Sequence, residues 1–280
     1  MKPPAAGAEV ESQTRRLNTL FLAGGVLFLL LASFFFFHLP WAKTLWPWTD
    51  ERLTFTFLAS LLTAVAATLL WIGITGEHGA VAGGAINLTI SAAGSALYLF
   101  WLFIERRQPA FFLLAFILIL LFVINGWIFE WGRRRPLRDR SPLPPMLRTG
   151  LSASAILLLL VSCALILRLP FAFPWTLDPD SSVLFGLFLL GGAGYFAYTL
   201  RFPLCSVARG QLVGFLACDL VLIGPLLGHF TSVQPEHRLS LVIYTILMVL
   251  SGLLAAYFLF LHPATRIRLL QNRRQSSLAE

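Results

Sequence analysis

Eight long apolar runs, separated by short polar stretches, make up most of the chain. A run of about 20 apolar residues is long enough to cross a bilayer as a helix. The runs are continuous and lack the alternation over about ten residues that a transmembrane barrel strand carries. They predict helices at Leu17–Phe37, Leu53–Thr75, Ala80–Phe103, Ala110–Trp131, Thr149–Leu167, Val183–Leu200, Gln211–Phe230 and Leu239–Leu261. Between the fourth and fifth lies GRRRPLRDRSPLPPMLR, where prolines and arginines forbid a membrane helix.

Two of the polar stretches say the same thing. His38–Arg52 reads HLPWAKTLWPWTDER, and Arg168–Ser182 reads RLPFAFPWTLDPDSS. Each follows an apolar run, opens on Leu-Pro, carries Pro-Trp-Thr (Pro47-Trp48-Thr49 and Pro174-Trp175-Thr176), turns acidic and feeds the next run. The likeness continues into the spans. Phe57-Leu58 sets against Phe188-Leu189, and at the same offset Ala66 meets Ala197, Thr68 meets Thr199 and Leu69 meets Leu200. Further along, Gly79 meets Gly210, Gly83 meets Gly214, and Asn87-Leu88 meet Cys218-Asp219. This implies an internal repeat.

The expected organisation is a polar N-terminal tail (1–16), a four-helix repeat (17–131), a basic Pro-rich linker (132–148), a second four-helix repeat (149–262) and a basic tail (263–280). Four spans return the chain to its starting side. The repeats should therefore be like-oriented (parallel), related by a pseudo-two-fold axis along the membrane normal. The fold class expected is an all-α integral membrane protein.

Composition strengthens this reading. The chain is 58% hydrophobic and 12% charged, against about 25% charged for a soluble domain. Its net charge of +8 could suggest nucleic acid, but the basic residues flank apolar runs. Lys2, Arg15, Arg16, Arg133, Arg134, Arg135, Arg138, Arg140, Arg148, Arg201, Arg209, Arg266, Arg268, Arg273 and Arg274 fall on one side. Only Lys43, Arg52, Arg106, Arg107, Arg168 and Arg238 fall on the other. The positive-inside rule then places both termini in the cytoplasm and both Pro-Trp loops outside. Localisation is read as the plasma membrane, multi-pass. The partners implied are the bilayer, anionic lipid at the cytoplasmic face, and a protein partner or second copy, with no nucleic acid. The N-terminal stretch lacks a small-residue cleavage site, so the first run reads as a retained helix.

Candidate chemistry is sparse. Asp219 is the one acid deep in an expected span, a costly position that suits a proton carrier or a ligand for a cation or amine. Gly83, Asn87, Ser91, Ser95 and Tyr98 lie along one face of the third span. They would either line a polar cavity with the seventh span or let helices pack closely. Gly224-Pro225 should kink the seventh span, since proline removes the amide that would bond the Val221 carbonyl. Trp46, Pro47, Trp48, Pro174 and Trp175, with Trp41, are expected in interfacial segments at headgroup depth. His38, His229, His237, Asp50, Glu51, Asp178, Asp180 and Glu236 read as solvated loop residues, and Cys163, Cys205 and Cys218 as structural thiols. No nucleotide, hydrolase or metalloprotease motif is present; no catalytic residue, metal ligand or cofactor is assigned. The functional expectation is a small-molecule or ion permease, proton-coupled through Asp219. The alternative is a non-enzymatic scaffold or accessory subunit.

Overall fold

The computed structural model describes residues 5–48, 50–169 and 172–267, with the side chains of residues 5–10 and Lys43 left out. Lys2, Thr49, Arg268, Arg273, Arg274 and most of the basic tail lie outside the described residues. Among those described, the chain is all-helical. Eight helices are long and apolar enough to cross a membrane, which makes it a polytopic membrane protein.

The helices are α1 (Ala5–Phe36), a short α2 (Pro40–Thr44), α3 (Arg52–Thr75), α4 (Val81–Arg106), α5 (Pro109–Arg133), α6 (Pro145–Ile166), α7 (Pro179–Arg201), α8 (Cys205–His229) and α9 (Arg238–Ala256). α9 ends in a π turn, Tyr257–Leu261. Several helices outrun their apolar stretch. α1 begins at Ala5 and α8 at Cys205, because polar residues with fair helix propensity extend a helix beyond the lipid. α8 runs unbroken through Gly224 and Pro225.

The repeated Leu-Pro has a local cause. α1 and α6 each end on a left-handed residue, His38 (φ 55°) and Arg168 (φ 54°). The following leucine amide bonds back into the helix, Leu39 to the Phe34 carbonyl at 3.1 Å and Leu169 to the Ala164 carbonyl at 2.9 Å. This is a Schellman-type stop, and after the one ending α1 the chain is helical again in the short α2 that Pro40 opens.

Close packing sorts the spans into two rows. One row runs α1, α3, α8, α9; the other runs α6, α7, α4, α5. Each row combines two helices from residues 17–131 with two from 149–262. Small residues permit the close approach within rows. A Cβ on Gly83 of α4 would meet the Tyr195 ring of α7 at 2.0 Å, and one on Gly214 of α8 would meet Thr68 Oγ1 of α3 at 2.8 Å. Between the rows runs a seam. Towards the starts of α3 and α7 it is filled with aromatic rings, among them Phe57 against Phe173 and Phe185, each at 5.1 Å. We call this the Trp end, and the opposite end, where residues 132–148 lie, the linker end.

Candidate functional site

Polar side chains gather at three places along this framework. The first is the Trp end. Asp180, in the first turn of α7, is only 3% exposed. Its carboxylate takes a hydrogen bond from the Tyr98 hydroxyl (2.6 Å) and ion pairs from Arg106 (2.7 Å) and Arg168 (3.2 Å). Trp48 Nε1 also donates to it, at 3.4 Å. A buried carboxylate needs such partners, since desolvation of an unpaired charge is costly. The left-handed stop at Arg168 turns the chain here, and Tyr98 and Arg106 are brought by the end of α4.

The two connectors cross over at this cluster. Trp48 reaches the start of α7, while Trp175 Nε1 donates to Thr54 Oγ1 at the start of α3, at 3.0 Å. Asp50 accepts from the Asp178 amide at 2.8 Å, from Ser181 Oγ and from Trp46 Nε1 at 2.8 Å. Each connector thus ties its own half to the helix start of the other. This corrects the expectation that the connector aspartates are solvated. Trp48 and Trp175 are 8% and 3% exposed and point into the protein, where their indoles find acceptors; Trp41 alone is open, at 47%. Asp50, Asp178 and Asp180 are engaged in the protein and not left to solvent. The histidines stay apart. His38 takes a bond from Arg52, His229 pairs with Ser232, and His237 with the Phe173 carbonyl.

The second place is the seam nearer the linker end. Among the described residues, Trp71 Nε1 of α3, Tyr195 OH of α7 and Gln211 Nε2 of α8 are buried without a hydrogen-bond partner. Gly210 lies against two of these residues: a Cβ there would be 3.1 Å from the Trp71 ring and 3.2 Å from Tyr195 OH. Thr199 Oγ1 of α7 donates across the seam to Gln211 Oε1 at 2.8 Å. A cavity of about 10 Å³ adjoins Gln211 and is also lined by Ser154 of α6 and Ser251 of α9.

Asp219 connects to this cavity. It is 3% exposed and accepts from Ser251 Oγ at 2.7 Å; Gly252 leaves room beside it. Its neighbours lie on α9, while the third-span face lies elsewhere. Asn87 and Ser91 press on Gly191 of α7, with Ser91 Oγ 3.4 Å from the Phe188 carbonyl. Among the described residues Ser95 is buried without a hydrogen-bond partner, and Tyr98 belongs to the Asp180 cluster. Asp219 and the third-span residues are therefore not brought into one site. Gly224, beside Pro225, has nothing within 4 Å of a Cβ position.

The third place is residues 132–148, which form an ordered strap and not a loose tether. Asp139 pairs with Arg209 at 2.7 Å and accepts from the Ser141 amide and hydroxyl. Ser206 Oγ donates to the Asp139 carbonyl, and the Cys205 amide to the Ser141 carbonyl. Burial alone would raise the Asp139 pKa; the Ser141 bonds and the Arg209 charge outweigh it and hold it below its usual value. Glu77, 6% exposed, accepts the Arg138 amide at 2.9 Å. Its pKa is raised because burial outweighs that bond and the Arg138 charge.

Compared with known proteins, the chain matches no family model, no curated protein and no solved structure.

Proposed function

We propose that the chain is a small-molecule or ion permease whose path follows the seam between the two helix rows, with Asp219 at its edge. The observation that carries this reading is the polar, incompletely satisfied stretch of seam around Gln211. Buried polar groups are nearly always paired, and an unpaired one costs about 1–3 kcal/mol. Three such groups lie in this stretch, on α3, α7 and α8, and Ser251 links the adjoining cavity to Asp219. A packed structural seam would favour apolar side chains at these positions.

The halves read as like-oriented repeats about a pseudo-two-fold axis along the membrane normal. Contacts support this. Gly83 meets Tyr195 as Gly214 meets Ala64 and Thr68, and Asn87 meets Gly191 as Cys218 meets Ser60. These pairs correspond at the sequence offset of the repeat. The Lys and Arg distribution supports cytoplasmic termini.

The test is accumulation of solutes from a defined mixture, read by mass spectrometry in proteoliposomes. Asp219→Asn should abolish accumulation while the variant still purifies as a monodisperse folded protein. Unchanged accumulation of every transported solute removes Asp219 from the mechanism.

One observation favours the alternative of a scaffold or accessory subunit: the seam cavity is barely large enough for one water. Cysteines replacing Asp50 and Ser181, joined by a short bifunctional reagent, distinguish the two. Locking the rows at the Trp end stops a permease and leaves a scaffold working. The scaffold reading also predicts a protein that copurifies in fixed ratio.

A further inference from the structure

An open cleft lies outside the seam, at the linker end of α5. It measures about 380 Å³ and is lined by Trp127, Glu130, Trp131, Arg134, Arg135 and Pro136. We propose that this cleft binds the phosphate headgroup of an anionic phospholipid. Three features argue for that occupant.

The first is depth. The apolar run of α5 gives way to charge at Glu130, so the cleft sits where acyl chains give way to headgroups. Leu120, Val123, Ile124 and Trp127 form an exposed stripe leading up to it, with Trp127 69% exposed. Residues three and four apart share a helix face, so one acyl chain can follow this stripe to the cleft.

The second is charge. Arg133 and Arg134 both pair with Glu130, which leaves their combined charge only partly neutralised. Arg135 adds another cation.

The third is the state of Arg135. Its guanidinium lies over the Trp131 ring, 4.6 Å from the centroid. Among the described residues its side-chain N–H groups make no hydrogen bond. The stacking fixes a planar fork of donors, the geometry that grips phosphate in two places. An exposed tryptophan beside it suits the glycerol level of a lipid.

Phosphatidylglycerol and phosphatidylcholine are titrated against the full chain in detergent, and bound lipid is counted by native mass spectrometry. A basic residue near an anionic surface contributes about 1 kcal/mol, or about fivefold in affinity. Arg134→Gln with Arg135→Gln should weaken phosphatidylglycerol binding about twenty-five-fold and leave phosphatidylcholine unchanged. Arg135→Gln alone, which removes no hydrogen bond of the fold, should weaken it about fivefold. Arg134→Lys with Arg135→Lys should fall between, because charge is kept and the fork is lost. Unchanged phosphatidylglycerol affinity in the Arg135→Gln variant overturns the proposal. So does equal loss of both lipids in the double variant. Displacement of phosphatidylglycerol by inorganic phosphate at comparable concentration reassigns the cleft to soluble phosphates and also overturns it.

Discussion

Single glycines carry opposite meanings in this bundle, and substitution separates them. A Cβ on Gly191 would lie 2.0 Å from Ser91 Oγ and 2.4 Å from the Asn87 carbonyl oxygen. The hydroxyl can rotate away, but the backbone oxygen cannot. Gly191→Ala should therefore push α4 and α7 apart and destabilise the protein by about 1–3 kcal/mol, the usual cost of overpacking. Gly224, with open space around it, should accept alanine with stability unchanged or raised, since alanine favours the helix. Thermal unfolding of both variants in the same detergent checks the pair; equal losses would refute the packing argument. The sequence shows both glycines in apolar runs and cannot separate them, because the deciding neighbour of Gly191 comes from about a hundred positions away. Asp180 was illegible for the same reason. It follows a proline in an acidic stretch, which reads as solvated loop, and only the fold brings Tyr98, Arg106 and Arg168 to it. Asp219 was legible as a buried acid, since hydropathy reports depth; its pairing with Ser251 was not.

Hydropathy located all eight spans because lipid rewards the same property everywhere along a helix. Their polar ends were less legible: the additional turns of α1 and α8 lie where lipid no longer imposes an apolar sequence. The strap of residues 132–148 was readable as a helix break but not as an ordered element, since its order comes from Glu77, Ser206 and Arg209 on other segments. That element has a testable pH signature. Folding raises the pKa of Glu77 above its ordinary 4.5. The folded chain then holds a proton that the unfolded chain has lost, so this group's contribution is fully present below pH 4.5 and is lost as pH climbs through the raised value. Asp139, held below its usual value, acts oppositely, losing its contribution as pH falls. Glu77→Gln keeps an acceptor for the Arg138 amide and removes the titration. Its melting temperature should match the parent's at about pH 4, exceed it increasingly as pH climbs through the raised value, and level off above it. A constant gap across that range would show that Glu77 does not titrate on unfolding.

The two rows give the molecule a property that neither half has alone. α3 packs closely on α8, and α4 on α7, while α3 and α4 of the same half meet only weakly. The connectors repeat this at the Trp end, where Trp48 reaches Asp180 and Trp175 reaches Thr54. A half expressed alone would leave Asp180 without Tyr98 and Arg106, or Asp50 without Ser181 and the Asp178 amide. It would also expose Gly83 or Gly214 where a helix of the other half should press. Such groups are expensive in lipid, which offers no replacement partners. Residues 1–140 and 141–280 expressed separately should therefore fail to accumulate as monodisperse proteins, and expressed together should assemble into one species. The cut falls in the strap, so assembly also has to recover the Asp139–Arg209 pair across two chains. If either half alone is stable and monodisperse, the rows are not the cooperative units. If neither half alone accumulates but the pair does, close packing between halves holds the bundle together. Movement of one row against the other then keeps the packing within each row and has to break the Thr199–Gln211 bond and the connector contacts at the Trp end.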